Sequence, residues 1–144
     1  MQHVVCTNCD TVNRFEADKD PVAARCGKCD APLFSGEPAD LAAASLERQI
    51  ARSDIPVVVD VWAPLCGPCR VMGPEFKKVA DVLEPAVRFV KLNSDENQAL
   101  AGRLGIRGIP TMIVFRGGKE LARTSGAMSS GAILKWLDDA MSGA

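Results

Sequence analysis

The six cysteines of the chain all occur in pairs that are separated by two residues: Cys6 and Cys9, Cys26 and Cys29, and Cys66 and Cys69. A pair with this spacing can be a redox couple, half of a metal site, or two unrelated thiols. Random placement would rarely pair all six, so we expect each pair to have a function. The sequence around each pair indicates which chemistry it supports.

The first two pairs are separated by sixteen residues, a spacing typical of four-cysteine zinc sites. Each pair presents two thiolates from one tight turn, and two such turns complete a tetrahedron. Residues 1–36 are rich in turn formers and short of periodic apolar residues, so bound metal would supply much of their folding energy. We predict one structural Zn²⁺ held by Cys6, Cys9, Cys26 and Cys29; two disulfides or free thiols are the alternatives.

The charge balance argues against a polyanionic partner. The whole chain has 17 basic and 18 acidic residues, and residues 1–39 carry four basic against six acidic ones. A phosphate-binding surface needs the opposite sign. We therefore expect no nucleic-acid partner, and a structural or partner-binding role for the metal segment.

The N-terminus is polar and lacks the apolar run of a secretory signal, and no stretch approaches the roughly 20 apolar residues of a membrane span. We therefore expect no membrane association and a cytoplasmic protein, in which thiols stay reduced and a structural disulfide framework is disfavoured. His3 is the single histidine, so Cys-His hydrolytic chemistry is also disfavoured.

The third pair lies where a buried strand gives way to a helix. "IPVVVDVWA" is a continuous β-branched run typical of a strand buried on both faces, and a helix is predicted from about Cys66 to Leu83. A helix N-terminus stabilises a thiolate, so Cys66 is the predicted nucleophile and Cys69, one turn later, the resolving thiol. A lone pair cannot close a tetrahedral metal site, which favours redox chemistry over metal binding here.

The remaining pattern predicts an α/β domain. Residues 39–54 are predicted helical, 87–93 a strand and 97–105 a short helix; the strands 111–115 and 120–126 form a hairpin, and a helix follows at 129–141. The strands therefore end in an antiparallel pair after a parallel part. Gly36 and Pro38 interrupt regular structure and indicate the domain boundary.

Residues from about 37 to 141 resemble thioredoxin. The similarity lies in "VVVDVWAPLCGPC", Pro74 within the helix, "VKLNSDEN", "GIRGIPTMIVF" and "SGAMSS". With two cysteine pairs in front, the chain is similar to bacterial thioredoxins that carry an N-terminal zinc ribbon. The resemblance implies a thioredoxin fold, a central mixed sheet flanked by helices, at residues 37–144, preceded by a zinc-ribbon-like domain at 1–36.

The resemblance also implies roles for single residues. Asp60 matches the buried aspartate that helps the inner thiol lose its proton; a carboxyl inside an apolar run should also have a raised pKa. Lys91 matches the lysine beneath that aspartate, with an ordinary surface lysine as the alternative. Pro110 matches the family's cis-proline, and the backbone of Ile109 would pair with an extended substrate.

The implied substrate surface is a flat apolar rim around the redox pair. Its predicted residues are Trp62, Ala63, Pro64, Leu65, Gly67, Pro68, Ile109, Pro110, Gly126 and Ala127. Leu65 departs from the family, which commonly has tryptophan before the nucleophile, so the rim loses an amphipathic ring and an N–H donor.

The resulting hypothesis is a protein disulfide reductase. Cys66 attacks a protein disulfide, Cys69 resolves the mixed disulfide, and a flavin-dependent thioredoxin reductase restores the dithiol of a monomeric protein without an organic cofactor. The zinc site is structural or redox-responsive. The alternative is a zinc-dependent binding or chaperone-like module with a minor redox role.

Overall fold

The computed structural model of the chain describes residues 2–16 and 23–142. Its elements in chain order are β1 (Gln2–Val5), β2 (Val12–Phe15), β3 (Ala39–Asp40), α1 (Ala43–Arg52), β4 (Val57–Trp62), α2 (Gly67–Leu83), β5 (Arg88–Asn93), α3 (Gln98–Arg103), β6 (Thr111–Arg116), β7 (Lys119–Ser125) and α4 (Ser130–Ser142). None of the helices among these residues is long and apolar enough to cross a membrane.

A five-stranded mixed sheet forms the larger part of the molecule. Its strand order is β3-β5-β4-β6-β7, in which β3, β5 and β4 run parallel while β6 and β7 are antiparallel to their neighbours. The β6–β7 turn uses Gly117 and Gly118, both in the left-handed region with φ of 59° and 80°, as a tight hairpin requires. The predicted parallel sheet with an antiparallel hairpin is confirmed.

Strand β4 lies at the centre of the sheet and is covered on both faces. Val57, Val59 and Val61 pack against the face that α1 and α3 cover. Val58 points to the opposite face, where Met72 of α2 and Ile133 of α4 lie in the same apolar cluster. Because side chains alternate along a strand, Asp60 points to the α2 face as well.

The predicted helices and strands after residue 40 agree with the structure within a few residues. The exception is the first helix, which was expected from residue 39 but begins at Ala43, because Ala39 and Asp40 form a short edge strand paired with β5. Strands β1 and β2 were not predicted. Residues 17–22, which include three of the charged residues counted above, lie outside the described part of the chain.

The N-terminal segment forms its own antiparallel pair of strands and its own small core. Phe15 and Phe34 pack with a centroid distance of 5.2 Å, and Ile55, just before β4, belongs to the same cluster. Buried polar contacts join the segment to α1: the Gln49 side chain donates to Val5 O (2.9 Å), and Val5 N donates to Ser53 Oγ (3.3 Å).

A buried guanidinium joins the same segment to the sheet. Arg88, the first residue of β5, is only 2% exposed. It donates to Leu33 O at 2.7 Å and to Val5 O at 3.1 Å, and its guanidinium lies 4.3 Å from the centroid of the Phe34 ring. Desolvation at this buried position lowers the pKa of Arg88, so these contacts must compensate for a costly buried charge.

Replacing this residue tests the connection. We predict that Arg88→Ala lowers the free energy of unfolding by about 3 kcal/mol or more, because two buried charge-assisted hydrogen bonds are lost. Leu33 O loses its side-chain donor, whereas Val5 O keeps the one from Gln49. Urea unfolding of the oxidised protein measures this change.

The matched control is Arg116→Ala, because Arg116 is exposed at the end of β6. Surface substitutions of this kind usually change stability by about 0.5 kcal/mol or less. Equal effects of the two substitutions would contradict a stabilising role of Arg88.

Candidate active site and metal centre

The turn between β4 and α2 places one thiol at the first turn of a helix. Cys66 is the N-cap of α2 and is bonded to Cys69 as a disulfide, with 5.3 Å between their Cα atoms. Cys69 N donates to Cys66 Sγ at 3.2 Å. Pro68 lies in the first turn, where its missing N–H leaves no intrahelical bond unmade. An N–H donor and the helix dipole both favour a thiolate at Cys66.

The segment before β6 lies opposite the redox pair. Ile109 O is 3.8 Å from Cys66 Sγ, and the Ile109–Pro110 peptide bond is cis, as the resemblance implied. Gly126 N donates to Pro110 O at 2.9 Å, which ties the end of β7 to this segment. The main chain at Ile109 is thereby held beside the sulfur atoms.

Asp60 is completely buried, and its two carboxyl oxygens have no hydrogen-bond partner among the described residues. Desolvation raises the pKa of this carboxyl to about 7, against a lowering effect of Lys91 and a further raising effect of Asp40. Helix α2 covers this face of β4, and Met72 and Val58 belong to the same apolar cluster. One turn earlier on the same helix face comes Cys69, which lies over the level of Asp60 because a helical turn and two strand residues have similar lengths.

Lys91 is half-buried beside Asp60, on the adjacent position of β5. Its Nζ lies 4.5 Å from the centroid of the Trp62 ring, and the indole Nε1 donates to Asp40 Oδ1 at 2.7 Å. Asp40 was not singled out from the sequence. Its position was assigned to the first helix, and the only signal for an edge strand was two residues long.

Of the residues predicted for the rim around the redox pair, all but Ala63 and Pro110 are exposed or half-buried. Leu65 is 89% exposed, and Pro64, Gly67, Pro68, Gly126 and Ala127 are exposed around it, with Trp62 and Ile109 half-buried. Pro110 is buried beneath Ile109. The expectation for Ala63 was wrong, because it is only 6% exposed and faces the interior.

Arg70 is a further residue of this site that the sequence did not single out. Its guanidinium donates twice to Pro64 O, at 3.1 Å from Nε and 2.8 Å from Nη2. This contact fixes the loop that carries Leu65 and leaves a positive charge beside the exposed rim. Its position directly after the second cysteine was the available signal.

The other four cysteines converge on one point. Their Sγ atoms all lie within 4.8 Å of one another. Cys6 and Cys29 are 3.6 Å apart between sulfur atoms, and so are Cys9 and Cys26. Tetrahedral zinc with bonds of about 2.3 Å places its sulfur ligands about 3.8 Å apart. The four cysteines are therefore close enough together to hold a metal ion.

The two turns that carry these cysteines have the same backbone geometry. Asp10 N donates to Cys6 O at 3.0 Å, and Asp30 N donates to Cys26 O at 2.9 Å. Asp10 and Asp30 have φ of 65° and 64°, the left-handed region that aspartate adopts more readily than most residues. Each turn thereby points two sulfur atoms to the same side.

Hydrogen bonds prepare part of this cluster for the ionised form that metals bind. The N–H of Cys29 is the largest cause that lowers the pKa of Cys26 to about 6, and the Asn8 side chain lowers the pKa of Cys29. Burial raises the pKa of Cys6 to about 12. A cation at the centre would supply the charge that allows all four to ionise.

The fold and the redox pair define a class: an α/β protein with a helix-capping Cys-x-x-Cys disulfide opposite a cis-proline, which is a thiol–disulfide oxidoreductase. The family model described as Thioredoxin matches residues 37–139, and the chain belongs to the thioredoxin family. Thioredoxin C-3 of Corynebacterium nephridii is 37% identical over 135 residues, covering 94% of this chain and 92% of that protein. That alignment is longer than the part of the chain after residue 36, so it extends into the N-terminal segment.

Other relatives match only the larger part. Thioredoxin 1 of a Nostoc species is 38% identical over 94 residues, covering 65% of this chain and 88% of that protein. The solved structure of chloroplastic thioredoxin z superposes with a TM-score of 0.67 at 29% identity, covering 74% of this chain and 96% of that one. The solved structure of a thioredoxin of Malassezia sympodialis superposes with a TM-score of 0.64 at 30% identity, covering 72% of this chain and 89% of that one.

The buried carboxyl generates a prediction on stability. A folded-state pKa of about 7 against roughly 3.9 unfolded means that folding favours the protonated form. The stability of the wild type is therefore not reduced by Asp60 below about pH 3.9. It falls as the pH rises from there through about 7, because the carboxyl ionises in the unfolded chain before it does in the folded one. We predict that Asp60→Asn gains stability relative to the wild type between pH 5 and pH 8, by roughly 2–4 kcal/mol. Urea unfolding of both oxidised proteins across this range measures it.

The control substitution is Asp138→Asn on the exposed face of α4, which should leave the pH dependence unchanged. A parallel pH dependence for Asp60→Asn and the wild type would show that Asp60 titrates alike in the folded and unfolded chain.

Proposed function

We propose that the chain reduces protein disulfides with Cys66 as the attacking thiolate and Cys69 as the resolving thiol. Cys66 Sγ⁻ attacks one sulfur of the target disulfide, forms a mixed disulfide and releases the other target sulfur as a thiolate. Cys69 then attacks Cys66 Sγ, forms the intramolecular disulfide and releases the second target thiolate. Two electrons pass from the chain to the target.

The observation that carries this assignment is the asymmetry of the two sulfur positions. Cys66 is half-buried and borders exposed surface, whereas Cys69 is only 5% exposed and lies inside the first turn of α2. Only Cys66 is reachable by a protein disulfide. Cys69 N–H points at Cys66 Sγ, so the helix end stabilises the thiolate at that position and not at its partner.

Asp60 is proposed to accept the proton of Cys69. The resolving thiol is only 5% exposed and so has little solvent contact through which to lose a proton, and Asp60 is the carboxyl on the face of the sheet that α2 covers. A pKa of about 7 makes the carboxylate available near neutrality and keeps it basic enough to act. Lys91, on the next strand, is proposed to modulate that proton transfer through its charge.

The substrate is proposed to dock as an extended chain across the rim. The main chain at Ile109 is held beside Cys66, so that its N–H and C=O groups are available to pair with a substrate strand. Gly67, Pro68, Gly126 and Ala127 supply a surface of low relief around it. Leu65, 89% exposed, adds an apolar contact without a hydrogen-bond donor, which favours apolar residues next to the target cysteine.

The partners follow from this chemistry. Protein disulfides are the substrates, and we propose that a flavin-dependent thioredoxin reductase returns the two electrons to the monomeric chain. No organic cofactor is required. A dithiol reductant and a thiolate-bound metal both need a reducing compartment, for which we propose the cytoplasm.

The N-terminal segment is proposed to be a zinc-ribbon-like domain at residues 1–36, with the thioredoxin domain at 37–144. Separate sheets on the two sides of this boundary and a family model that begins at residue 37 support the division. Four sulfur atoms within 4.8 Å of one another support Zn²⁺ as a structural ion, since thiolate ligands favour this metal.

The redox assignment predicts distinct behaviour for two substitutions. Cys66→Ser should lower the rate of insulin reduction with a supplied dithiol by at least a hundredfold, because the nucleophile is lost. Cys69→Ser should instead accumulate a mixed disulfide with insulin that a reductant dissolves, because resolution is lost. Turbidity and non-reducing electrophoresis measure the two outcomes.

The double substitution Cys9→Ser and Cys29→Ser serves as the control, since it changes two thiols outside the redox pair. A Cys66→Ser protein as active as the wild type would exclude the assigned nucleophile. Mixed disulfides that form on Cys69 in the Cys66→Ser protein would show that Cys69 is the attacking thiol and Cys66 the resolving one.

The metal assignment predicts about one Zn²⁺ per chain in reduced protein purified without chelator. The same Cys9→Ser, Cys29→Ser protein should lose the metal, whereas the Cys66→Ser, Cys69→Ser protein should retain it. Inductively coupled plasma mass spectrometry measures the content. Far less than one zinc in the wild type, or equal zinc in all three proteins, would contradict the site.

A further inference from the structure

Three charged residues form a row across the sheet beneath the redox pair. Asp40 of β3 and Asp60 of β4 both lie in register with Lys91 of β5, which is the strand between them. Partners in register on neighbouring strands point to the same face. The order across the face that α2 covers is therefore carboxylate, ammonium, carboxylate, with Lys91 placed to approach either acid.

The ammonium of Lys91 approaches neither acid closely. Among the ion pairs of the described residues, none includes Lys91. Its Nζ lies 4.5 Å from the centroid of the Trp62 ring, a distance at which the ring quadrupole attracts a cation. The indole ring is therefore the group that determines where this charge is located.

The indole ring is in turn fixed by Asp40. Trp62 Nε1 donates to Asp40 Oδ1 at 2.7 Å, a short bond to a charged acceptor. Asp40 thus acts on Lys91 through two contacts: its hydrogen bond orients the ring, and the ring holds the ammonium. The row would otherwise allow Lys91 to form a direct ion pair with Asp60.

We propose that Asp40 is a positioning residue of the redox centre, which fixes the Trp62 ring and thereby holds the Lys91 ammonium away from Asp60. The inference rests on the proposed role of Asp60 as the proton acceptor for Cys69. A direct ion pair would stabilise the Asp60 carboxylate and make it a weaker base. The effects on the pKa of Asp60 have the signs that this proposal requires, since Asp40 raises that pKa and Lys91 lowers it.

Other charged groups near Asp60 have little influence on its pKa compared with Asp40 and Lys91. The charged groups that act on the pKa of Asp60 are Lys91 on β5 and Asp40 on β3. Lys77 of α2 and Glu37 before β3 line the same cleft as Lys91. Lys77 is paired with Glu37 at 3.5 Å and with Asp81 at 3.2 Å, so its charge is offset. Strand β6 presents the neutral Met112 opposite Asp60.

The test compares two substitutions of Asp40 that remove the same charge. Asp40→Asn retains an oxygen that can accept the indole N–H, whereas Asp40→Ala does not. The carboxyl carbon of Asp60, observed by NMR in the oxidised protein, reports its pKa. Loss of the charge two strand spacings away should lower this pKa by roughly 0.3 to 1 in both variants. Asp40→Ala should lower it further by a similar amount, because Lys91 is released.

A Lys91→Met background isolates the positioning effect. There the two Asp40 variants should give the same pKa for Asp60, because no ammonium remains to be released. Asp138→Asn on α4 is the charge-matched control and should leave the pKa of Asp60 unchanged. The chemical shift of the Trp62 indole proton shows whether each variant keeps the hydrogen bond.

If the pKa of Asp60 is the same in Asp40→Asn and Asp40→Ala while Lys91 is present, Asp40 acts on Asp60 only through charge repulsion. That result would overturn the positioning role. Unchanged values in both variants would overturn any influence of Asp40. Failure of the proposed function has a different signature: Asp60→Asn would leave the rate of mixed-disulfide resolution and its pH profile unaltered. That outcome does not depend on the measured pKa of Asp60.

Discussion

The structure depends on a carboxyl group that is buried in the central strand without a hydrogen-bond partner among the described residues. Such a group is costly in its ionised form because apolar side chains cover both faces of the surrounding strand, and desolvation accordingly raises its pKa to about 7. Helix α2 must lie over this position, which places Cys69 above it and Cys66 at the exposed helix end. The burial that penalises Asp60 therefore also makes one thiol accessible and the other sheltered.

The redox site was largely predictable because its determinants are local in sequence. A β-branched run, an acid inside it and a cysteine pair at its end indicate a strand, a buried carboxyl and a helix-capping thiol within ten residues, Val57 to Cys66. The burial of Asp60 and the cis bond before Pro110 are confirmed. The family resemblance supplied the second of these, since nothing in the local spacing brings residue 110 opposite residue 66.

The features that were missed depend on contacts between distant residues. Asp40 reaches Trp62 across 22 positions, and Arg88 reaches Val5 across 83. A two-residue edge strand has no periodicity, and a buried arginine at a strand start has the same sequence pattern as an exposed one. Ala63 shows the reverse error, since its place beside the motif suggested a surface position although its side chain faces inward.

Strand β5 connects the two halves of the molecule, because it carries Arg88 at its start and Lys91 three residues later. Arg88 contacts the N-terminal segment, whereas Lys91 points to the opposite face, where the Trp62 ring holds it. Because successive side chains alternate between faces, a change in the contacts of Arg88 could move Lys91 only if the strand itself were displaced. Pairing with β3 on one side and β4 on the other opposes such a displacement. Arg88 thus joins the N-terminal segment to the start of the strand, while on the other face the Trp62 ring holds the Lys91 charge.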